Sequence, residues 1–88
     1  MTKVEILNGL KNALKITDKY HDGDLNVKID DTIEFLKLKG ISETNALTKY
    51  PGLIRRGASD LYNYDKYEAL FNDMLCTALL EEGITNNA

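Results

Sequence analysis

The stretch Pro51-Gly52-Leu53-Ile54-Arg55-Arg56-Gly57-Ala58-Ser59-Asp60-Leu61-Tyr62-Asn63-Tyr64 decides the fold class. Proline has no backbone N–H, and the first turn of a helix leaves those groups unbonded anyway, so Pro51 suits a helix start. Leu53, Ile54, Gly57, Ala58 and Leu61 follow at a spacing that lines one side of a helix and not the alternating faces of a strand. Asn63 to Asp65 reads as a break, and Asp65 is placed to cap a following helix from Lys66 to Glu82. In that helix Tyr67, Leu70, Phe71, Met74 and Ala78 form the main apolar stripe, with Leu75 and Leu79 beside it. Gly83 stops it, and residues 84–88 read as a frayed tail.

Two more helical segments lie upstream. Thr2 followed by Glu5 fits a capping box at the start of a helix over residues 3–16, with Ile6, Leu7, Leu10, Ala13 and Leu14 on one face. Gly9 inside this helix points to close packing against a neighbour. After a polar loop at residues 17–23, Leu25, Ile29, Ile33 and Leu36 make a narrow stripe on a helix over residues 24–39, which Asp22 or Asp24 can cap. Gly40 ends it, behind Lys37 and Lys39, cations that suit the negative end of the helix dipole. Residues 41–50 read as a connector in which Ser42 can cap a short helical turn. The expectation is a single all-α domain over residues 1–88, a small bundle of about four helices.

Composition narrows the function. The chain has 88 residues, 43% hydrophobic and 28% charged, so it reads as one globular domain. Its net charge of -3 argues against a duplex DNA reader, which needs a basic face to neutralise phosphates. No apolar run is long enough to span a bilayer, and residues 1–14 lack the apolar core of a signal peptide. One cysteine, Cys76, excludes an internal disulfide and suits a reducing compartment.

Candidate chemistry is sparse. The run Asp18-Lys19-Tyr20-His21-Asp22-Gly23-Asp24 invites a calcium-loop reading. With Gly23 at the sixth position, Tyr20 falls where an acidic or amide ligand is wanted. Ile29 falls where a bidentate Glu is required, so the run reads as a solvated turn. Cys76 has no histidine near it in sequence and, mid-helix among apolar residues, reads as a packing residue. There is no phosphate-binding glycine loop, zinc-type cysteine spacing or serine nucleophile signature, and no cofactor or metal is expected. Arg55 and Arg56, adjacent on one turn, read as exposed charges able to grip a carboxylate or phosphate. Tyr62, Tyr64 and Tyr67 cluster at the break, where tyrosine serves equally to face a partner or to lock a helix corner.

Apolar surface exceeds what one core needs. Val27 and Leu38 lie opposite the core stripe of their helix, and Ala69, Cys76 and Leu80 lie opposite the main stripe of the last one. A helix apolar on two sides in so small a chain is either covered by a partner, the reading preferred, or carries scattered surface apolar residues of the kind common on proteins. Val27, Leu38, Arg55, Arg56, Tyr62, Tyr64, Ala69, Cys76 and Leu80 are therefore the candidate protein-interface residues. The reading is a protein that works by binding other proteins and not by catalysis.

The chain also resembles the head-tail connector proteins of long-tailed bacteriophages, called adaptor or DNA-packaging proteins. The similarity runs through Asp24-Leu25-Asn26-Val27-Lys28-Ile29-Asp30-Asp31-Thr32-Ile33-Glu34-Phe35-Leu36, an acidic start to an amphipathic helix. It continues in Leu53 to Tyr64, ending Leu-Tyr-Asn-Tyr, and in Tyr67-Glu68-Ala69-Leu70-Phe71-Asn72-Asp73-Met74-Leu75. The resemblance implies a virion structural protein made in the bacterial cytoplasm and located in the phage neck. There its family forms rings, usually dodecameric, that join the portal to the stopper or tail-completion protein and extend the DNA channel. It implies no catalytic residue, no specific nucleic-acid binding and no membrane, and allows a monomer when free. An acidic balance suits a conduit that must pass DNA without holding it. The competing reading is a small helix-turn-helix DNA-binding regulator. The expected second and third helices lack the short glycine-containing turn of that motif, and the third offers only Arg55, Arg56 and Asn63 to read bases.

Overall fold

A computed structural model describes residues 1–84; the expected frayed tail lies outside the described residues from Thr85 onward. Five helices lie among the described residues: α1 (Lys3–Leu14), α2 (Asp22–Leu38), α3 (Glu43–Lys49), α4 (Pro51–Tyr64) and α5 (Ala69–Glu81). The all-α expectation holds, with one helix more than expected. The additional helix is α3, seven residues long and capped by the Ser42 hydroxyl, which accepts from the Asn45 N–H at 3.2 Å. Its weak periodicity hides it in the sequence, because a helix this short buries little of its own, here Ala46 alone.

Local signals set most boundaries. Thr2 and Glu5 form the capping box: the Glu5 N–H donates to the Thr2 hydroxyl at 3.2 Å, and the Thr2 N–H donates to the Glu5 carboxylate at 3.0 Å. Those bonds hold the Glu5 carboxyl below its usual pKa. Gly40, at φ 105°, follows α2. Its N–H donates to the Lys37 carbonyl at 3.0 Å and the Ile41 N–H to the Leu36 carbonyl at 2.9 Å, closing the helix in a Schellman motif. Gly83, at φ 73°, ends α5 the same way, with the Ile84 N–H on the Leu79 carbonyl at 2.9 Å. Pro51 occupies the first turn of α4, and Tyr50 alone separates α3 from α4.

α1 ends at Leu14, two residues short of the expected 16, because Lys15 turns left-handed at φ 60°, and two capping assignments also differ from expectation. Neither Asp22 nor Asp24 caps α2, which begins at Asp22 after His21. Asp18 shapes that turn, accepting from the Tyr20 N–H and pairing with the His21 ring, both at 3.0 Å. Asp65 does not cap α5. It adopts φ 59° and closes α4, donating its N–H to the Leu61 carbonyl at 3.0 Å. Asp tolerates this left-handed conformation better than most residues. The start of α5 is served from a distance: buried Asp60 on α4 accepts the Glu68 N–H at 3.0 Å.

The core lies where α2 and α4 cross, with α1 and α3 against both and α5 against α4. Ile6, Leu10, Leu25, Ile29, Ile33, Leu36, Ile41, Ile54 and Phe71 are fully enclosed. Gly57 is at the crossing. A Cβ there would stand 2.6 Å from Thr32 Cγ2 on α2 and 2.7 Å from Phe71 Cε1 on α5, closer than atoms pack. Phe71 stacks on Tyr67 at 4.3 Å between centroids, Tyr67 meets Phe35 at 4.8 Å, and the Tyr67 hydroxyl lies 3.3 Å from the Thr32 hydroxyl. Burial pushes the Tyr67 phenol pKa up. Of the expected stripes, Ala13 and Leu70 are exposed. Leu70 falls outside because α5 begins at Ala69 and turns Phe71, Leu75, Ala78 and Leu79 inward.

Gly9 has a softer neighbour than Gly57. A Cβ at Gly9 would meet the Arg55 guanidinium at 3.0 Å, the far end of an exposed, flexible side chain. The two glycines should therefore respond oppositely to alanine in chemical denaturation. Gly57→Ala is expected to lose about 1–3 kcal/mol or more from overpacking. Gly9→Ala is expected to be neutral or to gain up to about 1 kcal/mol from helix propensity as Arg55 swings aside.

Candidate functional site

The buried polar groups fasten helices to one another. Asp60, almost fully enclosed, accepts the Glu68 N–H and lies 3.6 Å from Arg56 Nε. Arg56 also donates to the Ser59 hydroxyl at 3.3 Å. Arg56 is thus half-buried and tied within α4, which corrects its reading as an exposed charge. At the other end of α5, Glu82 accepts from Asn45 Nδ2 at 2.8 Å, from the Tyr50 hydroxyl at 3.0 Å and from Lys49 Nζ at 3.2 Å. Tyr50, Lys49 and Asn45, in that order of effect, hold the Glu82 carboxyl below its usual pKa. Tyr50 itself is pushed up to about 12, by desolvation first and by its Glu82 partner second.

The tyrosines divide between the two roles the sequence left open. Tyr67 locks the α4–α5 corner. Tyr62 is half-buried, its ring edge-on to His21 at 6.1 Å between centroids, so part of its surface is spent inside the molecule. Tyr64 is exposed. No group of three or more His, Cys, Asp or Glu side chains among the described residues is arranged to hold a metal, and no helix among them is long and apolar enough to cross a membrane.

The remaining candidates form two outer stripes. On α2, Val27, Asp31, Glu34 and Leu38 recur at i, i+4, i+7 and i+11 on the side away from the core. Val27 is 55% exposed and Leu38 84% exposed. On α5, Ala69, Cys76 and Leu80 share the outward side, and Leu80 is 73% exposed. Cys76 is exposed too, so its reading as a packing residue is overturned. The inward positions of α5 are filled by Leu75, Ala78 and Leu79, which turns Cys76 outward. The two stripes are on different helices.

A groove that the sequence did not reveal crosses the far side of α4. Two adjoining depressions, of about 370 and 300 Å³, share Gly52 and Met74 in their walls. One runs between α4 and α5 over Leu53 and Ala78. The other runs between α4 and α1 over Leu10, Ala13, Arg55 and Arg56. Gly52 offers no side chain to fill the junction. Arg55 has no carboxylate partner among the described residues. No local pattern foretells this groove, because it depends on how α1, α4 and α5 come together.

Comparison with the models of known protein families, with curated proteins and with solved structures finds no match.

The Glu82 cluster yields a pH test. Because the folded carboxyl is held below its unfolded pKa, its contribution is fully present above that unfolded value, about 4.3. It is lost as pH falls through the folded value. Glu82→Gln should lower the thermal midpoint at pH 7, and the gap to the wild type should narrow progressively in melts run at falling pH below the unfolded value. Cys76→Ala, on an exposed position, should change stability by no more than about 0.5 kcal/mol at any of these pH values.

Proposed function

We propose that this chain is an adaptor subunit of a phage neck, part of a ring that joins the portal to the stopper or tail-completion protein and extends the DNA channel. The resemblance of residues 24–36, 53–64 and 67–75 to the head-tail connector proteins supports the phage assignment. The observation that carries the assembly reading is the pair of outer stripes. Val27 and Leu38 on α2 and Leu80 on α5 are large apolar side chains that the fold leaves in solvent on two separate helices. Each ring subunit meets two neighbours through two different patches, besides the partners above and below, so it needs several such surfaces.

One observation favours a DNA-binding regulator. The turn from Lys39 to Ser42, with Gly40 at φ 105°, joins α2 to α3 in the manner of a helix-turn-helix. The pair named from the sequence, residues 24–39 and 51–64, still has no short turn between its members, since α3 intervenes and the turn at Gly40 leads into α3. The chemistry of α3 is poor for reading bases. It begins with Glu43, and its Asn45 and Lys49 are held by Glu82. The adaptor is therefore the reading adopted.

Mixing the protein with portal assemblies of the same phage and imaging the product tests the proposal. A ring coaxial with the portal is expected. Leu38→Asp or Leu80→Asp should weaken it by placing an unpaired charge in a contact while leaving the monomer's helical content intact. Portals that stay bare at high concentrations of folded protein would refute the function. In mobility-shift assays at physiological salt no sequence-selective DNA binding is expected, and tight selective binding would favour the regulator.

A further inference from the structure

The outer stripe of α2 and the groove on α4 lie on opposite sides of the molecule. Gly57 faces α2 through Thr32, whereas Arg55 and Ser59, two residues to either side, stand about 200° around α4 and border the groove. On α2, Thr32 faces the core, and Val27, Glu34 and Leu38 face away. One surface is an apolar ridge with acids at its middle. The other is an apolar furrow bordered by Arg55 and Arg56 along α1, with Lys49 and Glu81 at the rim of its other half. Asp31 on the ridge has no cationic partner, and Arg55 at the furrow has no carboxylate partner, among the described residues. The ridge from Val27 to Leu38 is about 16 Å long at the rise of a helix. An elongated molecule of 41 × 24 × 17 Å thus carries an acid-centred ridge and an arginine-bordered furrow on opposed sides.

We infer that the ridge of one copy docks into the furrow of the next, Asp31 meeting Arg55 and the apolar ends of the ridge entering the depressions over Ala13 and Leu53. Such a contact is head-to-tail: each copy uses its ridge on one neighbour and its furrow on the other, which builds a ring when the rotation closes. The inference rests on the ring reading and specifies which two surfaces make the contact. It leaves the outer stripe of α5 outside the subunit-subunit contact. The charged pair at its centre selects register, since like charges brought together there oppose binding.

Charge exchange and cross-linking test the pairing. Asp31→Arg and Arg55→Asp should each lower subunit association about tenfold or more, measured by sedimentation at high concentration and by ring occupancy on portals. The double variant, with both charges exchanged, should recover it. Both positions are exposed, and circular dichroism checks that each variant folds. In a Cys76→Ala background, Asp31→Cys together with Arg55→Cys should give, on oxidation, a ladder of covalent multimers extending past the dimer. A product that stops at the dimer would indicate a two-fold contact and overturn the head-to-tail pairing. If the wild type forms rings on portals but the single variants assemble equally well and no ladder forms, the pairing is wrong and the ring reading stands. If the wild type forms no ring at all, both fall together.

Discussion

The missing side chain at Gly57 is the constraint on which the rest of the structure depends. Its bare backbone lets α2 approach through Thr32 and lets α5 lay Phe71 against the same spot. Three helices therefore meet at one point with no atoms to spare. Interiors pack at near-crystalline density, so such a point cannot take up even a methyl group without moving a helix. The aromatic cluster of Phe35, Tyr67 and Phe71 is built outward from it, and Tyr67 reaches back to Thr32 to satisfy a buried hydroxyl. The short α3 and the peripheral α1 are then fitted around a crossing whose distance is already set.

Polar chemistry in this molecule is used at joints. Thr32 on α2 accepts from the Tyr67 hydroxyl, Asp60 receives the first amide of the α5 corner, and Glu82 gathers three donors from α3 and its end. A small helical domain has little apolar area with which to define the angles between its helices. Buried hydrogen bonds fix those angles because an unmade one costs more than a made one gains. On the surface, large apolar side chains stand in solvent on α2 and α5.

Much of the fold was legible in the sequence where the cause is local. Thr2 with Glu5, Pro51, Gly40 and Gly83 each act through their own backbone neighbourhood, and each marks the boundary it was read to mark. Asp65 misled because a short acid after a helix suits either a left-handed stop or a cap for the next helix, and the true anchor, Asp60, lies inside α4. Leu70 falls outside its expected stripe for a related reason. In a helix as apolar as α5 the periodicity is broad, so the buried face is decided by Phe71 meeting Gly57. Of the candidate interface residues, Val27, Leu38 and Leu80 are as exposed as their helix positions imply, while Arg56 and Tyr62 are partly taken up inside the fold. The groove over Gly52 had no signature, since a cavity is made by what three helices leave empty.

The fastening of α5 changes how that helix can come undone. Helices ordinarily loosen from their ends, where backbone groups lack partners. In α5 the first end is held by a side chain of α4 and the last by side chains at the junction of α3 and α4. Its middle is pinned by Phe71 and Leu75. These anchors oppose loosening from the ends and favour detachment of α5 as a unit. A partner resting on its outer side would meet a stiff rod, and force applied at either tip would be passed along its whole length to the opposite anchor.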